Sequence, residues 1–200
     1  MTAVLFLGIG AYLLGSIPFG LLIVRAATGR DIRQEGSGNI GASNVYRMAG
    51  PGLALAVLAL DLVKGALPVL VAHRVSPHPL SALAAGIAAV AGHNWSIFLQ
   101  GQGGKGIATS YGALLGLSPA SGLVATVVWV VVVLLTRYAS LASLVGVLSV
   151  PFAMWIRHEP AEYLAFGVAA VVFAFYRHRA NIGRLLRGEE LRITGRTGQA

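Results

Sequence analysis

Long stretches without a charged residue constrain the fold of this 200-residue chain more than any other feature. They alternate with short segments in which Gly, Ser, Asn, His, Arg and Lys are concentrated. A helix needs about 20 apolar residues to cross a bilayer, and several of the stretches reach that length. Only 11% of the residues are charged, against roughly 25% in soluble domains. The sequence therefore predicts an all-α polytopic membrane protein.

Seven apolar segments are predicted to be transmembrane helices. The first has neither a basic N-terminal region nor a small-residue cleavage site, so we expect a retained helix and not a signal peptide. The fourth is short, and Leu117-Ser118-Pro119 predicts a tight turn into the fifth, which leaves a re-entrant hairpin as the alternative for this pair. Residues 1–188 are predicted to form one membrane domain, followed by a loosely ordered polar tail at 189–200. The spans cover 2–24, 51–72, 80–99, 107–118, 119–136, 140–156 and 161–176.

Basic residues are concentrated on one side of the predicted spans. Of the 15 Lys and Arg residues, twelve lie on the side of the C-terminus, only Arg74 and Arg157 lie on the other, and Lys64 lies within a span. Cytoplasmic loops carry the excess of Lys and Arg, so the N-terminus is predicted outside and the C-terminus in the cytoplasm. The same orientation places the polar segments on the cytoplasmic face of the membrane. The net charge of +8 fits this bias and anionic headgroups better than nucleic acid.

The first polar segment, residues 36–44 with the nearby Arg47, is predicted to bind an anion. Its glycines allow backbone N–H groups to point into one concavity, and a guanidinium group binds phosphate through two parallel hydrogen bonds. The alternative is a glycine-rich turn capped by Ser and Asn. The candidate residues are Ser37, Gly38, Asn39, Gly41, Asn44 and Arg47.

The second polar segment begins with Gly92-His93 and ends in a glycine loop at 101–106 that leads into the fourth span. A glycine loop with one Lys before a helix follows the physical logic of phosphate loops. It does not match the nucleotide-binding pattern G-x-x-x-x-G-K-[ST], because Gly106 follows Lys105. The alternative for Lys105 is a lysine that contributes only to the inside charge. The candidate residues are His93, Gly103, Gly104, Lys105, Gly106 and Thr109.

The third polar segment, residues 177–184, follows the last span. His178, Asn181 and Arg184 recur every three residues and therefore share one helical face, which is predicted to complete a polar groove. The alternative is a set of arginines that only stops membrane transfer.

Two smaller features complete the candidate set. Asp61 and Lys64 lie one turn apart within the second span, where a charge pair is costly unless it is well satisfied. Lys64 either neutralises Asp61 or also faces substrate. Ser140 and Ser143 lie at the start of the sixth span, and Ser140 also fits the role of a helix cap.

Composition excludes several kinds of chemistry. The chain has no Cys, which excludes disulfides, thiolate catalysis and Cys-ligated metals. Its seven acidic residues are scattered, and no pair of His specifies a metal, whereas metal catalysis on phosphate recruits several carboxylates on one face. No metal and no cofactor are therefore predicted.

Five short segments, spread along nearly the whole chain, together resemble a known family. They are residues 36–44, 61–65, 92–93, 103–109 and 177–185. They resemble the bacterial acyl-phosphate:glycerol-3-phosphate acyltransferase family, PlsY. The resemblance implies a seven-span inner-membrane enzyme that transfers an acyl group from acyl phosphate to the 1-hydroxyl of glycerol 3-phosphate, giving lysophosphatidic acid and phosphate. Ser96 and Gln102 stand where the family usually has Pro and a basic residue, which removes one positive charge from the substrate approach.

The implied reaction holds two anions together while charge develops on the attacked carbonyl. The partners expected are the two substrates and membrane lipid, without an obligate protein partner. The general base remains open among His93, His178 and the substrate phosphate. Catalytic roles are assigned to Ser37, Arg47, Lys105, His178 and Asn181. Substrate binding is assigned to Gly38, Asn39, Gly41, Asn44, Lys64, His93, Gly103, Gly104, Gly106, Thr109, Ser140, Ser143 and Arg184.

Three other functions compete with this one. A phosphate or organic-anion transporter would place polar residues across the full thickness of the membrane, whereas the polar segments here lie on one face. An acyl-CoA-dependent glycerolipid acyltransferase would carry a His-x4-Asp pattern, and no His in the chain has Asp five positions on. An intramembrane serine protease would need Ser37 or Ser43 within hydrogen-bond reach of His93 or His178.

Overall fold

The helices begin and end close to the residues that the apolar pattern predicts. The computed structural model describes residues 2–193, and every regular element within that range is helical. Short 3₁₀ turns occupy Ile32–Gln34 and Ile97–Leu99. The α-helices are α1 (Thr2–Ser16), α2 (Phe19–Thr28), α3 (Ala42–Ala49), α4 (Pro51–Val75), α5 (Pro79–Asn94), α6 (Ile107–Leu117), α7 (Pro119–Thr136), α8 (Ala139–Ile156), α9 (Ala161–Arg177) and α10 (Arg179–Leu186).

Five helical stretches are long and apolar enough to cross a membrane, which confirms an all-α membrane fold. They cover residues 4–28, 51–75, 79–99, 119–136 and 139–156. These correspond to the first, second, third, fifth and sixth predicted spans. The other two predicted spans coincide with α6, which has 11 residues, and α9, which has 17.

The first predicted span is a broken helix, which hydropathy alone did not indicate. Pro18 lacks a backbone N–H and therefore interrupts the hydrogen-bond ladder between α1 and α2. Two carbonyl groups at the break have side-chain partners: Ser96 Oγ donates to Ser16 O (2.5 Å), and Lys64 Nζ donates to Ile17 O (2.8 Å). Irregular backbone is tolerated at membrane depth where protein groups satisfy it in this way.

Glycine residues allow α4 and α6 to pack closely. A side chain at Gly112 of α6 would overlap the carbonyl oxygen of Leu62, and a side chain at Gly65 of α4 would overlap that of Thr109. Small residues at helix interfaces permit such close packing in lipid, where no hydrophobic effect drives helices together. This contact fixes the start of α6, and with it Lys105, against α4.

The connections at one end of the bundle lie side by side. Ser118 Oγ, in the turn between α6 and α7, donates to Glu159 Oε1 in the connection between α8 and α9 (2.7 Å). From that shared turn, α6 extends about 16 Å over its 11 residues and α7 about 27 Å over its 18 residues. The start of α6 therefore lies roughly 10 Å deeper in the bundle than the far end of α7.

The predicted tail is ordered in the part that the structure describes. Gly188, with φ +70°, turns the chain back after α10, a left-handed conformation that glycine adopts without strain. Ile193 N then donates to Arg137 O (2.7 Å). Glu190 and Ile193 therefore bond to the helices, although Glu189 and Leu191 are exposed; residues 194–200 of the predicted tail lie outside the described residues.

Candidate active site

The three polar segments meet in one cavity of about 290 Å³. Its wall comes from the loop before α3, from α3 itself, from the glycine loop before α6, and from α8 and α10. The structure thus brings together residues that are far apart in the sequence. The predicted residues that line it are Ser37, Asn39, Gly41, Asn44, Arg47, His93, Lys105, Gly106, Ser140, Ser143, His178, Asn181 and Arg184.

Cationic side chains form the centre of the polar part of the cavity. Lys105 Nζ donates to Asn181 Oδ1, which joins the glycine loop to α10. Arg47 Nη2 donates to Ser37 Oγ (3.3 Å), and Arg184 also lies in the wall. Burial lowers the pKa of Lys105 to about 8, and the neighbouring arginines act in the same direction. The arrangement is suited to binding anionic groups.

The first polar segment is held together by its own hydrogen bonds. Asn44 is buried, and its side chain accepts from Ser37 N (2.9 Å) and donates to the carbonyls of Glu35 and Asn39 (both 3.0 Å). Gly38 N donates to Glu35 O (2.9 Å). These groups, predicted to form an anion nest, instead shape the loop, and Gly38 does not line the cavity. Gly41 N likewise donates to Asn39 Oδ1 (2.8 Å).

The glycine loop before α6 also satisfies part of its own backbone. Gly103 N donates to Asn94 O (3.2 Å), and Gly104 N donates to His93 O (3.1 Å). Neither glycine lines the cavity. Both amides therefore anchor the loop to the end of α5, and the side chain of Lys105 provides the charge of this loop; phosphate binding by the two amides stays a prediction.

Two further predicted binding residues lie away from the cavity. Lys64 is buried and pairs with Asp61 Oδ1 (2.8 Å); its ammonium group also donates to Ile17 O and lies 5.4 Å from the centre of the Phe19 ring. Thr109 is fully buried at the contact between α6 and α4. Neither residue lines the cavity, so this geometry does not support their predicted role in substrate binding, whereas Asp61 itself lies in the wall.

One hydrogen bond fixes the tautomer of the His178 ring. Its Nδ1 lies 2.8 Å from Ala174 O, and a carbonyl oxygen only accepts, so Nδ1 carries the proton and Nε2 is left as an acceptor. Burial, together with the charge of Lys105, lowers the pKa of His178 to about 4. The ring is therefore neutral near pH 7 and offers an acceptor at the cavity wall.

Glu190 is a site residue that sequence reasoning missed. Its Oε1 accepts from Asn181 Nδ2 (2.6 Å) and Ser140 Oγ (2.8 Å), and its Oε2 accepts from Arg184 Nε (2.8 Å). Burial raises the pKa of Glu190, but these hydrogen bonds outweigh it and lower the pKa overall. Gly188 just after a basic helix indicates a C-terminal turn, but nothing in the sequence placed Glu190 beside Asn181 and Ser140.

An apolar groove continues from the polar part of the cavity. Its floor is α6, and its walls are α4 and α7. Leu58 on one wall and Val130 on the other are both exposed, so the groove is open and not an enclosed cavity. The apolar lining residues are Leu58, Leu62, Ile107, Ala108, Tyr111, Leu115, Trp129 and Val130.

A family model described as glycerol-3-phosphate acyltransferase matches residues 5–188. The chain belongs to the glycerol-3-phosphate acyltransferase family. The glycerol-3-phosphate acyltransferase of Desulforamulus reducens is 45% identical over 185 residues, which is 92% of each chain. Membership of this family makes the chain an acyltransferase and gives no support to the transporter alternative.

Two solved structures of a member of this acyltransferase family have the same fold. The crystal structure of PlsY (YgiH) in its glycerol 3-phosphate form is 39% identical, with a TM-score of 0.90 over 95% of each chain. Its lysophosphatidic acid form is 37% identical, with a TM-score of 0.87 over 97% of this chain and 96% of the other. PlsY is an integral membrane protein. The predicted membership of this chain in the PlsY family is confirmed.

Proposed function

We propose that this acyltransferase moves a fatty acyl group from acyl phosphate to the 1-hydroxyl of sn-glycerol 3-phosphate, giving lysophosphatidic acid and inorganic phosphate. The observation that carries the proposal is the meeting of Arg47, Lys105 and Asn181, from three separate polar segments, in one cavity that continues into an apolar groove. The related PlsY structures are a glycerol 3-phosphate form and a lysophosphatidic acid form, which supports glycerol 3-phosphate as the acceptor and lysophosphatidic acid as the product.

The cationic side chains bring two anionic substrates together. Each substrate carries a phosphate, and like charges repel strongly where water is partly excluded. Arg47, Lys105 and Arg184 offset that repulsion, and Ser37 and Asn181 orient the phosphates with neutral hydrogen bonds. The same cations stabilise the charge that develops on the attacked carbonyl. Positioning and electrostatics then supply most of the catalysis, because phosphate is already a good leaving group.

The acceptor hydroxyl is oriented by His178. Its Nε2 accepts a hydrogen bond from the 1-hydroxyl, whose oxygen attacks the acyl carbon; the bond from that carbon to the phosphate oxygen breaks, and phosphate leaves with the electron pair. The hydroxyl proton passes to His178 or directly to the departing phosphate. Because a pKa of about 4 makes His178 a weak base, the departing phosphate is the final acceptor of the proton. His93, whose ring is covered by Gly104, is less suited to this role.

The acyl chain lies in the groove over α6. Short α6 leaves the reacting end of the groove below the end of α7, and the side opening between α4 and α7 admits a lipid-like chain directly from the bilayer. Acyl phosphate enters from the membrane and glycerol 3-phosphate from water, so neither substrate needs a protein partner for delivery.

The site faces the cytoplasm in this proposal. Seven spans, including the short α6 and α9, place the N-terminus outside and the C-terminus inside the cytoplasmic membrane. Twelve Lys and Arg residues on the side of the site, against two on the other, support this orientation. The bond between Ser118 and Glu159 supports a complete crossing by α6 and α7 rather than a re-entrant hairpin.

The test is an assay of purified protein with labelled glycerol 3-phosphate. Palmitoyl phosphate is expected to yield labelled lysophosphatidic acid and phosphate, whereas palmitoyl-CoA yields neither. The double variant Arg47→Ala/Lys105→Ala is expected to lose on the order of 100-fold or more in kcat/KM, the usual loss when charge-stabilising groups are removed. Arg74→Ala, at the opposite end, is the matched control. Equal activity with palmitoyl-CoA, or an unaffected double variant, would refute the proposal.

A further inference from the structure

A buried pair of opposite charges lies beneath the cavity, and the acyl transfer described above does not use it. Lys64 Nζ is 2.8 Å from Asp61 Oδ1, and the two residues are 1% and 2% exposed. Ionisable residues within a membrane are expensive and are usually retained for a function. Asp61 lies in the cavity wall, but Lys64 does not reach the cavity.

Lys64 connects this pair to the loop before α3, whose Ser37 accepts a hydrogen bond from Arg47. Its Nζ donates to Ile17 O at the break between α1 and α2 (2.8 Å). Immediately afterwards, α2 presents Gly20 to the carbonyl oxygen of Ile40, so closely that a side chain at Gly20 would overlap it. The ammonium group therefore anchors the segment on which the loop carrying Ser37 rests.

Asp61 connects the pair to the lysine-bearing loop before α6. Asp61 Oδ1 is 3.7 Å from His93 Nδ1, a nitrogen without a hydrogen-bond partner among residues 2–193. The His93 ring lies directly under Gly104, where a side chain would overlap Nε2. The Asp61 carboxylate thus attracts the His93 ring, and the position of this ring sets the position of Gly104 in the loop. Lys105 follows Gly104 directly.

We propose that Lys64, Asp61 and His93 form a positioning chain between the two loops, which sets the place of Lys105 relative to Arg47. The proposal rests on the acyl transfer proposed above. Its residues act through the loops: His93 supports Gly104 from below, while Arg177 Nη2 donates to Gly104 O from the other side (2.6 Å). A displaced loop would still fold, but its lysine would no longer reach the phosphate held by Arg47.

A neutral double variant separates this role from a purely structural one. Removing one charge of a buried pair leaves the other uncompensated and destabilises the protein, whereas replacing both with apolar residues of similar size is often tolerated. A structural pair is therefore dispensable when both charges are removed. A positioning chain is not, because the contacts with Ile17 and His93 are lost as well.

The test compares Asp61→Leu/Lys64→Met with the wild-type protein in the palmitoyl phosphate assay, with the full chain in one detergent. Yield is expected to be close to wild type and Tm only slightly lower, because Ile17 O keeps its bond from Phe19 N, whereas KM for glycerol 3-phosphate rises and kcat/KM falls by up to about 100-fold, as small misplacements of a binding group do. Ser118→Ala, which removes a partly buried hydrogen bond at the opposite end, is the matched control and keeps wild-type constants.

Wild-type kcat/KM in the folded double variant would overturn the positioning chain. Should that variant not fold, Asp61→Asn/Lys64→Gln, which keeps the side-chain sizes, is measured by the same criterion; failure of both neutral pairs to fold would make the pair a folding requirement and also overturn the proposal. Transfer by the wild-type protein is a separate readout. If it fails, the acyl-phosphate assignment is wrong; if it succeeds while the double variant is unaffected, only the positioning chain is wrong.

Discussion

At Lys105, burial and the charges of Arg184, Arg47 and Arg177 all disfavour the ammonium form, and only Glu190 opposes them. The resulting pKa of about 8 means that the free enzyme loses this charge as pH rises through 8. Substrate phosphates are already dianionic there, since their second pKa is near 6. We therefore expect kcat/KM for glycerol 3-phosphate to fall above about pH 8, because kcat/KM follows groups of the free enzyme.

Lys105→Arg is the control for this alkaline loss. A guanidinium stays charged throughout the accessible range, so this variant is expected to show lower activity at neutral pH but no decline near pH 8. A decline at the same pH in both proteins would assign the titration to another group. The measurement is kcat/KM against pH with the palmitoyl phosphate concentration held constant.

His178 leads to a prediction about kcat. Its neutral Nε2 is placed to hold the attacking hydroxyl, so His178→Ala is expected to lower kcat by roughly 100-fold, the lower range for removal of a group that assists proton transfer. KM for glycerol 3-phosphate should change little, since the phosphate is held elsewhere. His158→Ala, in the connection between α8 and α9, is the control. A raised KM with unchanged kcat would limit His178 to ground-state binding.

Among the structural elements, α6 depends most on the absence of side chains. Gly112→Ala would place a methyl group against the Leu62 carbonyl of α4, which is backbone and cannot turn away. We expect a loss of about 1–3 kcal/mol, typical of overpacking, seen as a lower Tm in detergent. Gly10→Ala in α1, where nothing lies within 4 Å, should leave Tm unchanged or raise it. Equal Tm values for the two variants would contradict the close packing of α4 and α6.

Element positions were predictable where hydropathy carries the signal. The bounds of α4, α7 and α8 lie within a few residues of the predicted spans. The short helix α3, with eight residues, was missed because it is polar and its apolar pattern is too short to read, whereas the three-residue spacing of His178, Asn181 and Arg184 had indicated the helical face of α10. The break at Pro18 was missed because an apolar run looks the same whether or not one carbonyl bonds to a lysine in another helix.

At the scale of the whole molecule, the sequence predicted that the polar segments share one face, and the structure brings Arg47, Lys105 and Asn181 together. The sequence did not predict which polar groups would form hydrogen bonds within their own loops. Asn44 and the amides of Gly103 and Gly104 have the composition of an anion site but bond to nearby backbone. Glu190 was unpredictable for the opposite reason, since its partners Ser140 and Asn181 come from other helices.

Membrane orientation is the last consequence of this architecture, and the absence of Cys makes it directly testable. Single-cysteine variants Pro77→Cys, Pro119→Cys and Gln102→Cys place one thiol in the α4–α5 connection, the α6–α7 turn and the glycine loop. With an outside N-terminus and seven spans, an impermeant thiol reagent is expected to label the first two in intact cells. Gln102→Cys should be labelled only after the membrane is opened, because twelve basic residues hold that side in the cytoplasm. Labelling of Pro119→Cys only in opened cells would indicate a re-entrant pair.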